Sequence, residues 1–380
     1  MIITKLLNDF LESEKASGFI LIIFTIVSLI LANSIWSDSY LNFWHLQIGN
    51  QSLEYWINDG LMTIFFLLIG LELEREFYNG ELSNLKNALL PLSAALGGMI
   101  VPAGLYLFLN YGTVTQSGAG IPMATDIAFA LGILSLLGSR VPISLKIFLT
   151  ALAVIDDLGA ILIIAIFYTK EIIWSNLLIA VGIFAFLFLL NRLKIRNLIP
   201  YIVCGIIMWY FMLNSGVHAT ITGVLLAFVI PFGNGDEKSS SFILQHILHK
   251  PVAFFILPLF ALANTAIIFN SDWHFMLSHN YTLGIALGLI VGKPVGIWLF
   301  SYLTVKLKIS QLPEDLNWKS ILGVSFLGGI GFTMSIFITL LAFSDGEHIV
   351  NSKIMILISS LVAGIIGLLY LKINLKNHNS

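Results

Sequence analysis

The stretch ALAVIDDLGAIL, residues 151–162, places two adjacent aspartates, Asp156 and Asp157, inside an apolar run. Residues 148–168 contain no other charged side chain. One charged side chain at the centre of a membrane helix costs roughly 2.5–3.5 kcal/mol on membrane-insertion scales. Two such side chains in one run indicate a membrane helix whose acids serve a function.

The composition of the whole chain is that of an integral membrane protein. Of its 380 residues, 58% are hydrophobic and 11% are charged, whereas about a quarter are charged in a soluble domain. Apolar stretches of about 18 residues recur along the chain. The sequence contains no basic stripe of the kind that binds nucleic acid. A single cysteine, Cys204, excludes an internal disulfide.

The apolar pattern predicts an all-α membrane protein, with about twelve transmembrane helices in one domain over residues 1–380. The first apolar run is longer than the core of a signal peptide, so we expect a membrane helix there. The predicted spans are residues 16–33, 58–73, 88–109, 119–137, 146–168, 175–190, 199–213, 216–231, 252–269, 282–305, 320–342 and 353–371.

The basic residues predict the orientation. With the first span starting in the cytoplasm, most of the 19 Lys and Arg residues fall on the cytoplasmic side, as the positive-inside rule requires. We therefore expect both termini in the cytoplasm. Residues 36–57 form an outside loop, in which Gly49-Asn50 predicts a β-hairpin over residues 44–56. The alternative is an irregular loop.

Four charged residues lie deep in predicted spans: Asp126, Asp156, Asp157 and Lys293. In one interpretation, Lys293 neutralises one acid in a structural ion pair. Three acids against one base leave an excess negative charge, which favours a cation-binding or proton-carrying site. Adjacent helical residues point about 100° apart. We therefore expect one of the two aspartates to meet Lys293 and the other to line a cavity.

Glycine and proline interrupt two predicted spans. Span four has Pro122 before Thr125 and Asp126, and span eleven reads FLGGIGFTMSIFITL over residues 326–340. Such interruptions are typical of the broken helices that transporters direct at a midplane site. The alternative is close helix packing through small residues.

Matching features predict an inverted repeat, with spans 3–5 (residues 88–170) against spans 10–12 (residues 282–373). A Pro-x-Gly precedes each break, and the two triplets have opposite predicted orientations. We expect broken spans four and eleven to cross. Asp126 and Lys293 would then compensate the partial charges of the helix ends that meet there.

A carboxylate pair binds a hard cation through oxygen, and protonation removes that capacity. Competition between cation and protons, combined with alternating access, yields exchange. Two acids carry up to two protons per monovalent cation, which makes the cycle electrogenic. The sequence therefore predicts an antiporter and no enzyme activity.

Three other functions use buried charge. Intramembrane aspartyl proteases carry a Gly-x-Gly-Asp signature, which Asp156 and Asp157 lack. A solute symporter shares the architecture but moves both substrates in the same direction. A selective channel does not need an acid pair that binds protons.

Several motifs resemble those of the bacterial NhaA sodium/proton antiporters, and the resemblance runs through nearly all of the chain. The resemblance implies export of sodium or lithium in exchange for protons across the inner membrane, for sodium and pH homeostasis and without a cofactor. It also implies a homodimer held partly by the hairpin at residues 44–56. The motifs are FFLLIGLELERE (65–76), GGMIVPAG (97–104), IPMATDIAFALGIL (121–134), LLGSRVPISLKIFLTALAVIDDLGAI (136–161), SGVHATITGVL (215–225), LPLFALANT (257–265), VGKPVGI (291–297) and GIGFTMSIFI (329–338).

The resemblance also implies roles for individual residues. Asp157 matches the family's Na+-binding aspartate, and Asp156 matches its neighbour. Asp126 matches the aspartate of the helix crossing, with Thr125 beside it. Lys293 matches the membrane lysine that pairs with the acid at Asp156.

A response to pH is implied as well, with activation at alkaline pH. Its candidate residues are Glu72 and Glu76 near the cytoplasmic end of span two, and His246 and His249 before span nine. The histidines are candidates because histidine titrates near neutral pH. For the glutamates, the alternative is a solvated charge cluster. The family has a glutamate where this chain has Gln245, so we expect a shifted or shallower activation.

Overall fold

A computed structural model describes residues 2–169, 171–269 and 278–375. Residue 170, which ends the predicted first repeat, and the last five residues lie outside this part of the chain. The described elements are almost all helices. Those of the first half are α1 (Ile2–Ala32), α2 (Ser37–Trp44), α3 (Leu53–Tyr55), α4 (Met62–Asn79), α5 (Leu85–Asn110), α6 (Ile127–Ser135), α7 (Ile143–Phe167) and α8 (Trp174–Arg192).

The second half of the chain continues the helical pattern, and short 3-10 and π segments interrupt or extend several helices. Its helices are α9 (Leu198–Leu213), α10 (Ile221–Val229), α11 (Ser240–Pro251), α12 (Leu257–Asn264), α13 (Asn280–Leu287), α14 (Lys293–Lys306), α15 (Trp318–Gly328), α16 (Phe332–Ala342) and α17 (Gly346–Asn374). The π segments are Trp56–Leu61, Val252–Ile256 and Gly288–Gly292, and the 3-10 segments are Glu81–Ser83, Gln116–Met123 and Gly138–Arg140.

In the described ranges, eight helical segments are long and apolar enough to cross a membrane, or ten when each of two bent helix pairs counts as one span. The chain is therefore a multi-pass membrane protein. Each of the twelve predicted spans contains a helix. However, α9 has 16 residues and α10 has 9, fewer than the about 20 that span a bilayer. The count of twelve is therefore not confirmed.

The described residues divide into two compact units. The described parts of Met1–Leu41, Asn84–Ala160 and Ala261–Ser380 form the first unit, and those of Asn42–Ser83 and Ile161–Phe260 form the second. The first unit contains the breaks in predicted spans four and eleven. The single domain over residues 1–380 and the repeat boundaries stay predictions.

Both breaks lie where the sequence interrupts its apolar pattern. The 3-10 helix Gln116–Met123 is followed by extended backbone at Ala124 (ψ 151°), and α6 begins three residues later. In the other span, α15 and α16 meet at a bend of 46°. The bend coincides with the glycine cluster, where a Cβ added at Gly329 would lie 2.4 Å from the carbonyl oxygen of Leu289.

Two facing glycines let α5 and α14 lie in close contact. A Cβ added at Gly97 would lie 2.2 Å from the carbonyl oxygen of Gly296, and the reverse distance would be 2.1 Å. Only glycine permits this approach, as at other close crossings of membrane helices. Lys293, in the turn before Gly296, is fully buried.

The loop after α2 contains a two-stranded antiparallel hairpin. Strands β1 (Gln47–Ile48) and β2 (Gln51–Ser52) pair with Gln47 opposite Ser52. Gly49 turns the chain with a φ of +69°, a conformation that glycine adopts freely. The hairpin lies within the predicted residues 44–56, and its placement outside the membrane stays a prediction.

Candidate functional site

Two buried acids lie side by side on α7. Asp156 and Asp157 are each 1% exposed. Three residues after Asp156, a Cβ at Gly159 would lie only 2.1 Å from Sδ of Met99 on α5. Glycine at this position therefore lets α5 pack against the turn of α7 that carries the acids.

Asp156 takes part in a buried ion pair. Its Oδ2 lies 2.9 Å from Nζ of Lys293 and accepts a hydrogen bond of 2.7 Å from the hydroxyl of Thr125. All three side chains are buried. The Oδ1 atom of Asp156 accepts no hydrogen bond from the described residues, so one carboxylate oxygen of the pair is available to a cation or a proton.

Lys293 also contacts the end of a helix. Its ammonium donates to the backbone oxygen of Met123, the last residue of the 3-10 helix in broken span four. Carbonyl groups at the C-terminal end of a helix lack partners within the helix and carry partial negative charge. The ammonium therefore lies where a positive charge stabilises this end.

Asp126 contacts the N-terminal ends of two helices. Its Oδ1 accepts a hydrogen bond of 2.9 Å from the backbone N–H of Phe129 and thereby caps α6. Its Oδ2 accepts from the N–H and the hydroxyl of Thr333, at 3.1 and 2.6 Å, in the first turn of α16. A carboxylate is stabilised at the positive end of a helix. One buried acid therefore compensates both ends.

The two broken spans are joined through their extended residues. The backbone N–H of Asp126 donates to the carbonyl oxygen of Ile330 at 2.7 Å. The hydroxyl of Thr125 lies 2.9 Å from the carbonyl oxygen of Gly328. The breaks in spans four and eleven thus meet in one place, here called the crossing, which contains Thr125, Asp126, Asp156, Lys293 and Thr333.

Sequence reasoning assigned no role to several polar residues of α16 and α17. The hydroxyl of Ser335 donates to the carbonyl oxygen of Ile121 at 2.7 Å, and that of Ser360 accepts from the N–H of Phe332 at 3.2 Å. Polar residues directly after the glycine cluster were a usable signal for Thr333 and Ser335. Ser360 gave none, because serine in an apolar helix commonly bonds its own backbone.

The acids predicted for the pH response lie in the second unit, on α4. Glu72 is buried and hydrogen bonds with the side chain of Gln245 on α11. Glu76 lies 3.6 Å from Arg75. A further acid, Glu74, is 5% exposed and accepts a hydrogen bond of 3.0 Å from Ser241. Sequence reasoning missed Glu74, since it lies in the polar end of the span.

The two predicted histidines lie on α11. His246 is exposed and its ring stacks on that of Phe242 at 6.4 Å, whereas His249 is partly buried. Within the described ranges, no three His, Cys, Asp or Glu side chains form a metal-binding group. The side-chain contacts described between α4 and α11 are those of Glu72 with Gln245 and of Glu74 with Ser241. These four residues are here called the α4–α11 cluster.

The chain is similar to known proteins along nearly all of its length. The family model described as Na+/H+ antiporter 1 matches residues 8–371. The chain is 72% identical over 377 residues to the Na(+)/H(+) antiporter NhaA of Flavobacterium psychrophilum, covering 99% of this chain and 98% of the relative. It is 64% identical over 376 residues to the protein of that name in Cytophaga hutchinsonii, with 99% and 97% covered. It is 56% identical over 381 residues to that of Dechloromonas aromatica, with 99% and 98% covered.

Proposed function

The chain belongs to the Na+/H+ antiporter 1 family, and from that premise we propose that it exports Na+ or Li+ in exchange for H+ across the bacterial inner membrane. The observation that carries this proposal is the buried acid pair on α7, in which Asp156 contacts Lys293. A Na+/H+ antiporter is a transporter, so ions are its substrates and no cofactor is involved.

The charges at the crossing support a site for mobile cations. Asp126 is stabilised by two helix ends, and Lys293 neutralises Asp156. The buried Asp157 adds a further negative charge to this region. A buried charge is costly unless it is compensated, and Na+ or a proton provides the compensation. Because either ion can do so, the two compete for the site.

The ligands available suit a hard monovalent cation. Asp157 binds Na+ through carboxylate oxygen, with Oδ1 of Asp156 and the hydroxyl oxygen of Thr125 as further donors from neighbouring residues. Hard cations prefer oxygen ligands. Thr125 lies 2.7 Å from Asp156, so its hydroxyl oxygen is within reach of a cation bound between the two acids.

Proton uptake follows from the same competition. When Na+ leaves, Asp157 and Asp156 take up protons, and the proton on Asp156 replaces its ion pair with Lys293. Two protons enter for each Na+ exported, so that one net positive charge moves inward in each cycle. The broken helices let the site open to either side, with Asp126 and Lys293 compensating the helix ends.

Regulation by pH involves Glu72, Glu76, His246 and His249. The partner of Glu72 on α11 is a neutral amide, that of Gln245. A neutral partner does not titrate, which supports a shallower response to alkaline pH than two facing acids would produce. The exposed His246 is accessible to protons from the aqueous side.

Two further expectations concern assembly and placement. The chain forms a homodimer through the hairpin at residues 44–56, because an edge strand can pair with a strand of a second copy. The side chain of Trp56 stabilises the hairpin by donating to the carbonyl oxygen of Ile48 at 2.9 Å. Both termini lie in the cytoplasm, as the positive-inside distribution of basic residues supports.

The decisive experiment measures proton movement driven by Na+ in everted membrane vesicles. Addition of Na+ to wild-type vesicles should release protons from the interior, and Asp157→Asn should abolish this flux because the cation loses its carboxylate. The exposed Asp315 provides a matched control, since Asp315→Asn removes an equal charge from a loop. Normal exchange by Asp157→Asn would place the site elsewhere, and proton movement in the same direction as Na+ would indicate symport.

A further inference from the structure

A group of aromatic and histidine side chains joins three helix ends in the first unit. Tyr281 lies in the first turn of α13, Phe343 caps the C-terminal end of α16, and His348 lies in the first turn of α17. In the proposed orientation all three ends face the outside. The members of this outer cluster are His279, Tyr281, Phe343, Asp345, His348 and Asn351.

Tyr281 is the centre of the outer cluster. It is 5% exposed, and its hydroxyl accepts a hydrogen bond of 3.0 Å from Asn351 on α17. Its ring lies 5.0 Å from that of His348, edge to face, and 6.2 Å from that of Phe343. His279 stacks on the same ring at 5.4 Å. One side chain of α13 therefore contacts both α16 and α17.

Asp345 places a carboxylate oxygen beside the ring of His348. The backbone N–H of His348 donates to Oδ1 of Asp345 at 3.0 Å, and this hydrogen bond holds the pKa of the Asp345 carboxyl below its usual range. The same oxygen lies 3.7 Å from Nδ1 of His348. The side chain of His348 is 31% exposed, so protons from solvent reach it beside an ionised carboxylate.

The outer cluster is continuous with the helices that form the crossing. Tyr281 lies on the helical segment Asn280–Lys306, in which the π segment Gly288–Gly292 joins α13 to α14, and this segment carries Lys293. Thr333, the partner of Asp126, lies in the first turn of α16, and Phe343 lies at the other end of that helix. A tighter contact within the outer cluster therefore restrains the segment that carries Lys293 and the helix α16 that carries Thr333.

We propose that the outer cluster is a second proton-binding site, centred on His348, through which acidic pH on the outside slows exchange. Protonation adds an ion pair with Asp345 and places a cation beside the rings of Tyr281 and Phe343. The other charged or titratable groups facing the cluster are Glu347 on α17 and His279 before α13. The proposal rests on the antiport and the orientation proposed above.

The test measures exchange of isotopic Na+ for Na+ in proteoliposomes of defined orientation, with the pH varied on one side at a time. This exchange requires no net proton movement, so the pH gradient does not drive it. The measured quantity is the rate of His348→Gln divided by that of wild type. We expect this ratio to be near one at an outside pH of about 8 and about 2 to 5 at an outside pH of about 6. A change in rate of this size corresponds to the free energy of a surface ion pair.

Two further variants make the result specific. Asp345→Asn keeps a good helix cap and removes the ion pair, so the slowing should begin at a lower outside pH than in wild type. Asp38 is an exposed acid of the predicted outside loop, and Asp38→Asn should behave as wild type.

A ratio for His348→Gln that stays constant across outside pH, while exchange itself is active, overturns the proton site and leaves the antiport standing. A ratio that changes with the inside pH instead of the outside pH also overturns the proposed outside proton site. Absence of sodium exchange in wild type at every pH contradicts the proposed function itself.

Discussion

The crossing and the α4–α11 cluster both bury acids, but they compensate them differently. At the crossing, Asp156 faces an ammonium and Asp126 faces two helix N-terminal ends. In the α4–α11 cluster, Glu72 and Glu74 face the neutral side chains of Gln245 and Ser241. A positive partner favours the ionised acid, so a proton or another cation must compete with it, whereas a neutral partner leaves the acid to gain or lose its proton as the pH changes. The first arrangement suits an ion site and the second suits regulation.

The largest effect is expected at the ion pair of the crossing. Lys293→Ala leaves Asp156 buried without its ammonium, and breaking a buried pair in this way costs about 3–5 kcal/mol. Thermal unfolding of the detergent-solubilised protein measures the loss. The double variant Asp156→Asn/Lys293→Ala should recover much of it, because no uncompensated charge remains. A double variant as unstable as Lys293→Ala would show that the pair does not stabilise the crossing.

An intermediate effect is expected at the helix end served by Asp126. Thr333→Val keeps the side-chain shape and removes a hydrogen bond to a charged group, which is worth about 1.5–3 kcal/mol. Thr339 on the same helix is also fully buried, but its hydroxyl donates to its own backbone, at the carbonyl oxygen of Ser335. Thr339→Val should therefore cost only about 0.5–1.5 kcal/mol. Equal losses in the two variants would remove the distinction between charged and neutral partners.

The smallest effect on stability, and the largest on regulation, is expected in the α4–α11 cluster. Gln245→Glu places a second acid opposite Glu72. At low pH the two carboxyl groups share a proton, and as the pH rises both ionise and repel each other. The pH profile of exchange should become steeper on its alkaline side, with little change at the crossing. Gln311→Glu adds the same charge at an exposed position and controls for net charge. A profile for Gln245→Glu identical to that of wild type would show that the contact between residue 245 and Glu72 does not affect the pH response.

Local pattern predicted much of the fold. Each predicted span contains a helix, because long apolar runs specify membrane helices residue by residue. Gly49 marked the hairpin turn, and the glycine cluster marked the bend between α15 and α16. The count of spans could not be settled in this way, because α9 and α10 are too short to be counted by length.

The sequence by itself determined which residues are anomalous, because a charge or a helix-breaking glycine in an apolar run is costly wherever the chain folds. That reasoning singled out Asp126, Asp156, Asp157 and Lys293. Only the tertiary structure decided their partners. The contacts of Asp126 with Thr333 and of Lys293 with Met123 join residues far apart in the chain, and no local pattern encodes which helix ends meet.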